Sequence, residues 1–187
     1  MGSSPSAEIY WGYNLGEMVD EDYEPIGPSW LMHEEDFDGD DRDWREELAT
    51  RLGWQEIPYP HEIEPDRPRP TANPHKNKLV YQEYEDARKA FYANPEYQAY
   101  SANRDRMWEI TKDYPAELCI WNSSEDAQYC VRITASIQRA DDWGSIELQP
   151  LEVDPSWHEK LMQFMILLEL PRPENKMPGW HMCCAYR

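Results

Sequence analysis

The sequence predicts an α+β fold, with a small antiparallel or mixed sheet packed on a core helix and a helical-hairpin insertion or lobe at residues 78–113. Short runs rich in aromatic and β-branched residues predict the strands. Apolar residues at helical spacing predict the hairpin and a core helix at 155–168. The length of 187 residues suits a single domain, 1–187. The predicted strands cover residues 8–15, 117–137, 145–151 and 180–186.

The clearest strand signal is a hairpin on either side of residues 123–126. A turn centred near Ser124-Glu125 puts apolar residues opposite apolar residues, which fixes the register of a hairpin. The predicted strands are Leu118–Asn122 and Tyr129–Ile137. The register then pairs Leu118 with Val131, Ile120 with Tyr129 and, on the other face, Cys119 with Cys130.

Capping residues mark the helices. Asp40, Asp41 or Asp43 caps a short helix that ends before Gly53. Asn94 followed by Pro95 begins the second helix of the hairpin. Asp154-Pro155 begins the core helix, which is apolar almost all round and is therefore expected at the centre of the core. Its apolar stripe is Trp157, Leu161, Met165 and Leu168.

Charge is the most unusual feature of the composition. The chain has 37 acidic and 18 basic residues and a net charge of −19. Residues 17–43, here called the acidic segment, hold 12 acids and one base, Arg42, and are expected to be a loop region. So acidic a chain is repelled by nucleic acid and by anionic lipid, and is attracted to basic protein surfaces.

Other segments of the sequence indicate how the chain is organised and in which cellular compartment it is expected. Six prolines within residues 56–74 predict an extended linker. The sequence contains no run of about 18 apolar residues, so no membrane-spanning helix is predicted. The N-terminus lacks the features of a secretory signal, and four cysteines are too few for a disulfide framework in a chain of this length. A cytoplasmic location is expected.

Catalytic motifs are missing from the sequence. We find no phosphate-binding glycine loop, no serine-nucleophile elbow and no zinc-protease helix. Asp36, Asp38 and Asp40 have the alternate spacing of a calcium loop, but the glycine falls at position 39 rather than at the sixth place of such a loop. A solvated acidic loop is the preferred interpretation. The carboxylates lie where bases are scarce, so we expect no enzyme and no cofactor.

A metal site is an alternative that the sequence leaves open. Cys119, Cys130, His181, Cys183 and Cys184 supply enough donors for tetrahedral zinc. Their spacing matches no zinc ribbon or finger, and adjacent residues of a strand point to opposite faces. Buried, reduced cysteines are the preferred interpretation.

The acidic segment is also the candidate partner-binding site. Its carboxylates can mimic the negative electrostatic field of nucleic-acid phosphates. Its aromatic residues can add short-range contacts, which carboxylates alone do not provide. The alternative is that these loops only keep the protein soluble. The candidate residues are Asp20, Glu21, Asp22, Tyr23, Trp30, Glu34, Glu35, Asp36, Asp38, Asp40, Asp41 and Asp43.

Several short stretches resemble small acidic accessory proteins of bacteriophages. They are Tyr10-Trp11-Gly12-Tyr13, Asp142-Trp143-Gly144-Ser145, Asp154-Pro155-Ser156-Trp157 and the closing residues 178–186. The resemblance implies an accessory protein that acts in the host cytoplasm. Acidic proteins of this kind often inhibit host nucleic-acid enzymes or defence systems, including CRISPR effectors. The resemblance implies no particular site residues.

The expected function is therefore inhibition of a basic host protein through an acidic surface that mimics nucleic acid. Two alternatives remain, a metal-dependent enzyme or metal-stabilised domain, and a phage structural or assembly component.

Overall fold

The computed structural model describes residues 5–18, 27–28, 30–31, 43–70, 74–121, 128–141, 146–173 and 176–186. Within these ranges the chain forms four α-helices and five β-strands, so the α+β class is confirmed. The helices are α1 (Trp44–Arg51), α2 (Pro74–Tyr92), α3 (Pro95–Thr111) and α4 (Trp157–Leu167). The strands are β1 (Pro5–Gly16), β2 (Ala116–Trp121), β3 (Gln128–Ile133), β4 (Gln138–Asp141) and β5 (Gly179–Tyr186).

The five described strands form one antiparallel sheet with β1 in its middle. Strand β5 pairs with β1 along one side, from Pro5 to Gly12. The other side of β1 pairs with β4 near its start and with β3 near its end. Gly12 is paired on both sides, with Gly179 of β5 and Arg132 of β3, and β2 lies beyond β3.

The β2–β3 hairpin has the predicted register. Leu118 pairs with Val131, Cys119 with Cys130 and Ile120 with Tyr129. The predicted second strand of the hairpin, residues 129–137, is too long, because β3 ends at Ile133 and a 3₁₀ turn follows at Thr134–Ser136. Polar side chains in this turn replace strand pairing, since Ser136 Oγ accepts the main-chain N–H of Trp11 at 2.9 Å.

Helix ends follow the local capping chemistry. Asp43 caps α1, where its side chain accepts the N–H of Arg45, and Gly53 follows the helix at φ +92°. Asn94 caps α3 and accepts the N–H of Glu96. Helix α2 begins at Pro74, four residues before the predicted start at 78, because proline is tolerated at the first helical position.

The main core lies between one face of the sheet and α4. Alternate residues of β1, Trp11 and Tyr13, are buried together with Val131 of β3. Four residues of α4 and its C-terminal cap join the same cluster: Leu161, Phe164, Met165 and Leu168. Whether α2 and α3 are an insertion in this fold remains a prediction.

Three expectations about the second half of the chain are wrong. Residues 146–151 of the predicted third strand lie outside any helix or strand. Pro150 cannot donate to a ladder, and the side chain of Gln138 bonds both main-chain groups of Gln149. Helix α4 begins at Trp157 instead of 155, after a turn in which Asp154 accepts from Ser156. Its apolar surface is not wholly buried, because Ile166 is 71% exposed.

In the described part of the predicted linker, residues 56–70, the regular structure is one short turn. Residues 56–70 contain a single 3₁₀ turn, His61–Ile63, and otherwise no helix or strand. No helix in the described part of the chain is both long and apolar enough to cross a membrane.

Candidate partner-binding surface

Most of the sequence-predicted site residues lie outside the described residues. Only Trp30 and Asp43 of the candidate set are described. The ten others, together with the calcium-like spacing at 36–40, remain predictions: Asp20, Glu21, Asp22, Tyr23, Glu34, Glu35, Asp36, Asp38, Asp40 and Asp41.

Trp30 lies in the core rather than on the surface. It is 7% exposed, and its indole Nε1 donates to the main-chain carbonyl oxygen of Leu168 at 3.0 Å. That carbonyl belongs to the C-terminal cap of α4, where helical carbonyls lack an intrahelical partner. As placed here, Trp30 holds the acidic segment to the fold and cannot serve as an exposed contact for a partner.

Two further residues hold the acidic segment near its ends. Met18 is 1% exposed and belongs to the same cluster as Trp30. Trp44 packs against this cluster, with its ring 5.6 Å from that of Phe164 in an edge-on arrangement. The acidic segment is thus attached to one core near its start, in its middle and at its end.

Asp43 is exposed and lies at the point where the acidic segment enters α1. It accepts the N–H of Arg45 at 3.1 Å, and the Arg45 guanidinium lies 3.8 Å from its carboxylate. The same guanidinium stacks over Trp44 at 4.3 Å and lies 4.0 Å from Glu117. Arg45 is therefore held by groups inside the molecule, and its charge is partly neutralised there.

Arg51 of α1 and Arg104 of α3 are likewise paired with acids of this chain. Arg51 donates to Glu47 and to Glu169, each at 2.7 Å, and the hydrogen bond from Arg51 holds the pKa of Glu169 below its ordinary value. Arg104 of α3 pairs with Glu46. Arg51 and Arg104 are therefore engaged by acids of the same chain.

Several exposed acids in the described part of the chain have no Lys or Arg partner there. They are Glu62, Asp66, Glu83, Glu96, Asp105, Glu147 and Glu152.

The second face of the sheet carries a buried charge network. Glu8 of β1 is 1% exposed, and it pairs with Arg132 of β3 and Arg139 of β4. Arg132 also reaches Glu117 at 2.7 Å. Burial opposes ionisation of Glu8, but the hydrogen bonds and charges of the two arginines outweigh it and hold its pKa below the ordinary value. The network joins four strands, β1, β2, β3 and β4.

The cysteines lie around Tyr10 on the same face. Tyr10 is fully buried, and its hydroxyl is hydrogen-bonded to Cys183 Sγ at 3.4 Å. Cys119 and Cys130 join this cluster, here called the thiol cluster. Burial raises the pKa of Cys130 to about 11 and also raises that of Cys119, so both thiols stay protonated near neutral pH.

Of the two remaining predicted metal donors, Cys184 lies on the other face of β5, and His181 contacts the thiol cluster only through the ring of Tyr10. Cys184 is exposed, since its neighbour Cys183 occupies the opposite face of β5. His181 stacks on Tyr10 and donates from Nε2 to the carbonyl oxygen of Gly12 at 3.1 Å. Within the described residues, no three His, Cys, Asp or Glu side chains are grouped as a metal site would require.

A second surface feature lies where the proline-rich linker meets α2 and α3. Tyr59 of the proline-rich linker contacts the rings of Phe91, Tyr97 and Tyr100. Beside it lies a groove of about 710 Å³ between the linker and α3. The density of tyrosines in α2 and α3 was the only signal for it in the sequence.

Comparison with protein-family models, with curated proteins and with solved structures found no match to this chain. The functional conclusion must therefore come from the residues themselves.

Proposed function

We propose that this chain is a phage-type inhibitor that binds a basic host protein through the acidic segment, residues 17–43. The partner class is a nucleic-acid-processing enzyme or a defence effector, such as a CRISPR effector. The segment would occupy the groove that normally holds nucleic acid, because its carboxylates offer the same sign of charge as phosphates.

The observation that supports this proposal most is the combination of charge and attachment. The segment has a net charge of −11 and is held to one core by Met18, Trp30 and Trp44. Attachment near both ends and in the middle lowers the entropy that a long acidic loop loses when it binds. A segment that only improved solubility would not need a buried tryptophan in its middle.

The rest of the described surface is consistent with a basic partner. The arginines near α1 are engaged by acids of this chain, while several acids have no basic partner among the described residues. Direct binding of DNA or RNA is disfavoured by the same charge. Catalysis is not favoured either, since the buried thiols have raised pKa values and are poor nucleophiles.

Affinity capture from a bacterial lysate tests the proposal. The captured protein should bind nucleic acid on its own, should elute with salt, and should be displaced by duplex DNA. Reversing Asp36, Asp38, Asp40 and Asp41 to Lys should abolish the capture.

A matched control reverses four exposed acids elsewhere, Glu83, Asp105, Glu147 and Glu152, and changes the net charge equally. This control should retain capture. Equal losses in both variants would mean that only the net charge matters, and equal retention would make the acidic segment a solubility feature.

A further inference from the structure

We infer that the groove between the proline-rich linker and α3 binds a basic, extended segment of a partner protein. The groove measures about 710 Å³, which lies within the range of ligand-binding clefts. Its lining is Ile57, Pro58, Tyr59, Pro60, His61, Glu62, Ile63, Glu96 and Ala99. It shares no residue with the acidic segment and does not depend on the proposal above.

The wall formed by the linker is held in place by α3. Asn103 of α3 donates to the carbonyl oxygen of Gln55 at 3.0 Å and accepts the N–H of Ile57 at 3.2 Å. Trp54 is buried, and its indole donates to the Asn103 carbonyl oxygen at 3.1 Å. The Asn103 side chain thus satisfies one carbonyl oxygen and one N–H of the linker main chain, much as a neighbouring strand would.

Ring contacts fix the middle of the same wall. Tyr59 stands edge-on to Tyr100 at 5.1 Å and to Tyr97 at 6.3 Å, and lies 4.7 Å from the ring of His61. Burial, together with the hydrogen bond to Glu64, raises the pKa of Tyr59 to about 12. A groove held this firmly loses little conformational entropy when a ligand binds.

The lining determines the kind of occupant. Ile57, Pro58, Ile63 and Ala99 supply apolar contacts, and Ile57 and Ile63 are 38% and 37% exposed. Glu62 and Glu96 supply negative charge, and none of the described residues that line the groove is Lys or Arg. Arg and Lys side chains match this pattern, because an aliphatic stem can lie on the apolar residues while the cation meets a carboxylate.

The linker wall runs through residues 57–60, which form no helix or strand, into the 3₁₀ turn His61–Ile63. An extended partner segment can lie along this wall. A partner segment that alternates apolar and basic side chains would place its cations near Glu62 and Glu96. The observed chemistry therefore points to a Leu/Arg-type segment and not to an acidic or purely apolar one.

The test uses a synthetic nonapeptide of alternating leucine and arginine. A second peptide, in which glutamate replaces each arginine, is the control. Backbone and methyl NMR signals of the full chain are followed during titration. The arginine peptide should shift the signals of Ile57, Ile63 and Ala99, while the control peptide should not. Shifts confined to the acidic segment, or no shifts at millimolar peptide, would overturn the inference and leave the proposed function untouched.

Matched variants make the test quantitative. Glu62→Gln with Glu96→Gln should weaken peptide binding about three- to tenfold, the effect of two partly exposed ion pairs. Glu83→Gln with Glu152→Gln removes the same charge outside the groove and should weaken it less than twofold. Equal weakening in both double variants would show that peptide binding depends only on the net charge of the protein, and would contradict the inferred binding site.

Discussion

The indole N–H of Trp30 donates to the main-chain carbonyl oxygen of Leu168 at 3.0 Å, which joins the middle of the acidic segment to the end of α4. This bond explains how so acidic a stretch remains attached to an apolar core. It also yields a direct test of that attachment.

Trp30→Phe should destabilise the protein by about 1–3 kcal/mol, because the Leu168 carbonyl then loses its donor in a buried place. Urea unfolding followed by circular dichroism measures the change. Trp108→Phe is the control, since Trp108 is 51% exposed and its loss should cost under about 1 kcal/mol. Equal effects of the two substitutions would contradict the anchoring role of Trp30.

Gly12→Ala should disrupt the middle of the sheet. A Cβ at this position would lie 2.0 Å from the Val131 carbonyl oxygen and 2.8 Å from Arg132 Cα, both of them backbone atoms that cannot turn away. We expect a loss of about 3 kcal/mol or more, at the upper end of overpacking effects.

Gly53→Ala provides the contrast for Gly12. Gly53 has open space around its Cβ position but a φ of +92°, so only backbone strain opposes the substitution. A smaller loss of about 1–2 kcal/mol is expected, and thermal or urea unfolding measures both variants. A Gly12→Ala protein as stable as the parent would mean that β1 and β3 do not pair as described.

Glu8→Gln should destabilise the protein by about 3–5 kcal/mol near neutral pH, because Arg132 and Arg139 lose a buried countercharge. The folded pKa of Glu8 is lowered from 4.5, so its contribution is complete above that pH and is lost as the pH falls through the folded value. The difference in unfolding free energy between parent and variant should therefore shrink below about pH 4.5. A difference that stays constant from neutral to strongly acidic pH would contradict the ionised pairing.

Cys119 and Cys130 should form a disulfide when the protein is treated with diamide. Opposite residues of an antiparallel pair lie about 4.5–5.5 Å apart at Cα, within the range of disulfides. Diamide takes up the two electrons and two protons that the thiols lose. Because burial raises both pKa values, the reaction should be slow near neutral pH and faster in alkaline buffer.

Peptide mapping by mass spectrometry identifies the bond. A Cys184→Ser background removes the exposed thiol and its intermolecular products. Adding Cys119→Ser should then prevent the bond. A dominant bond from Cys130 to Cys183 would contradict the expected pairing.

The sequence predicted those features that depend on local chemistry. The β2–β3 register followed from apolar pairing across a short turn, and the caps at Asp43 and Asn94 followed from residue type. The break after Ile133 was missed, because Thr134 and Ser136 replace ladder bonds with bonds to segments remote in sequence. A pattern of alternating residues contains no sign of such partners.

The candidate site was less predictable for a similar reason. Trp30 stood out as an apolar residue among acids, but whether it faces a partner or the core depends on α4, more than a hundred residues away. Glu8 and Arg132, likewise, look like solvent-facing positions of ordinary strands. Their burial depends on how the sheet brings β1, β3 and β4 together.

The central claim is that the charge of the acidic segment drives association with a basic partner. The most direct measurement is the association rate constant of the purified partner, once captured, at about 50 mM and about 500 mM salt, since the Debye length differs severalfold between them. For the parent chain, association should be fast at low salt and should slow steeply at high salt. Reversal of Asp36, Asp38, Asp40 and Asp41 should make association slow and nearly independent of salt. An unchanged rate with unchanged salt dependence in that variant would contradict the claim.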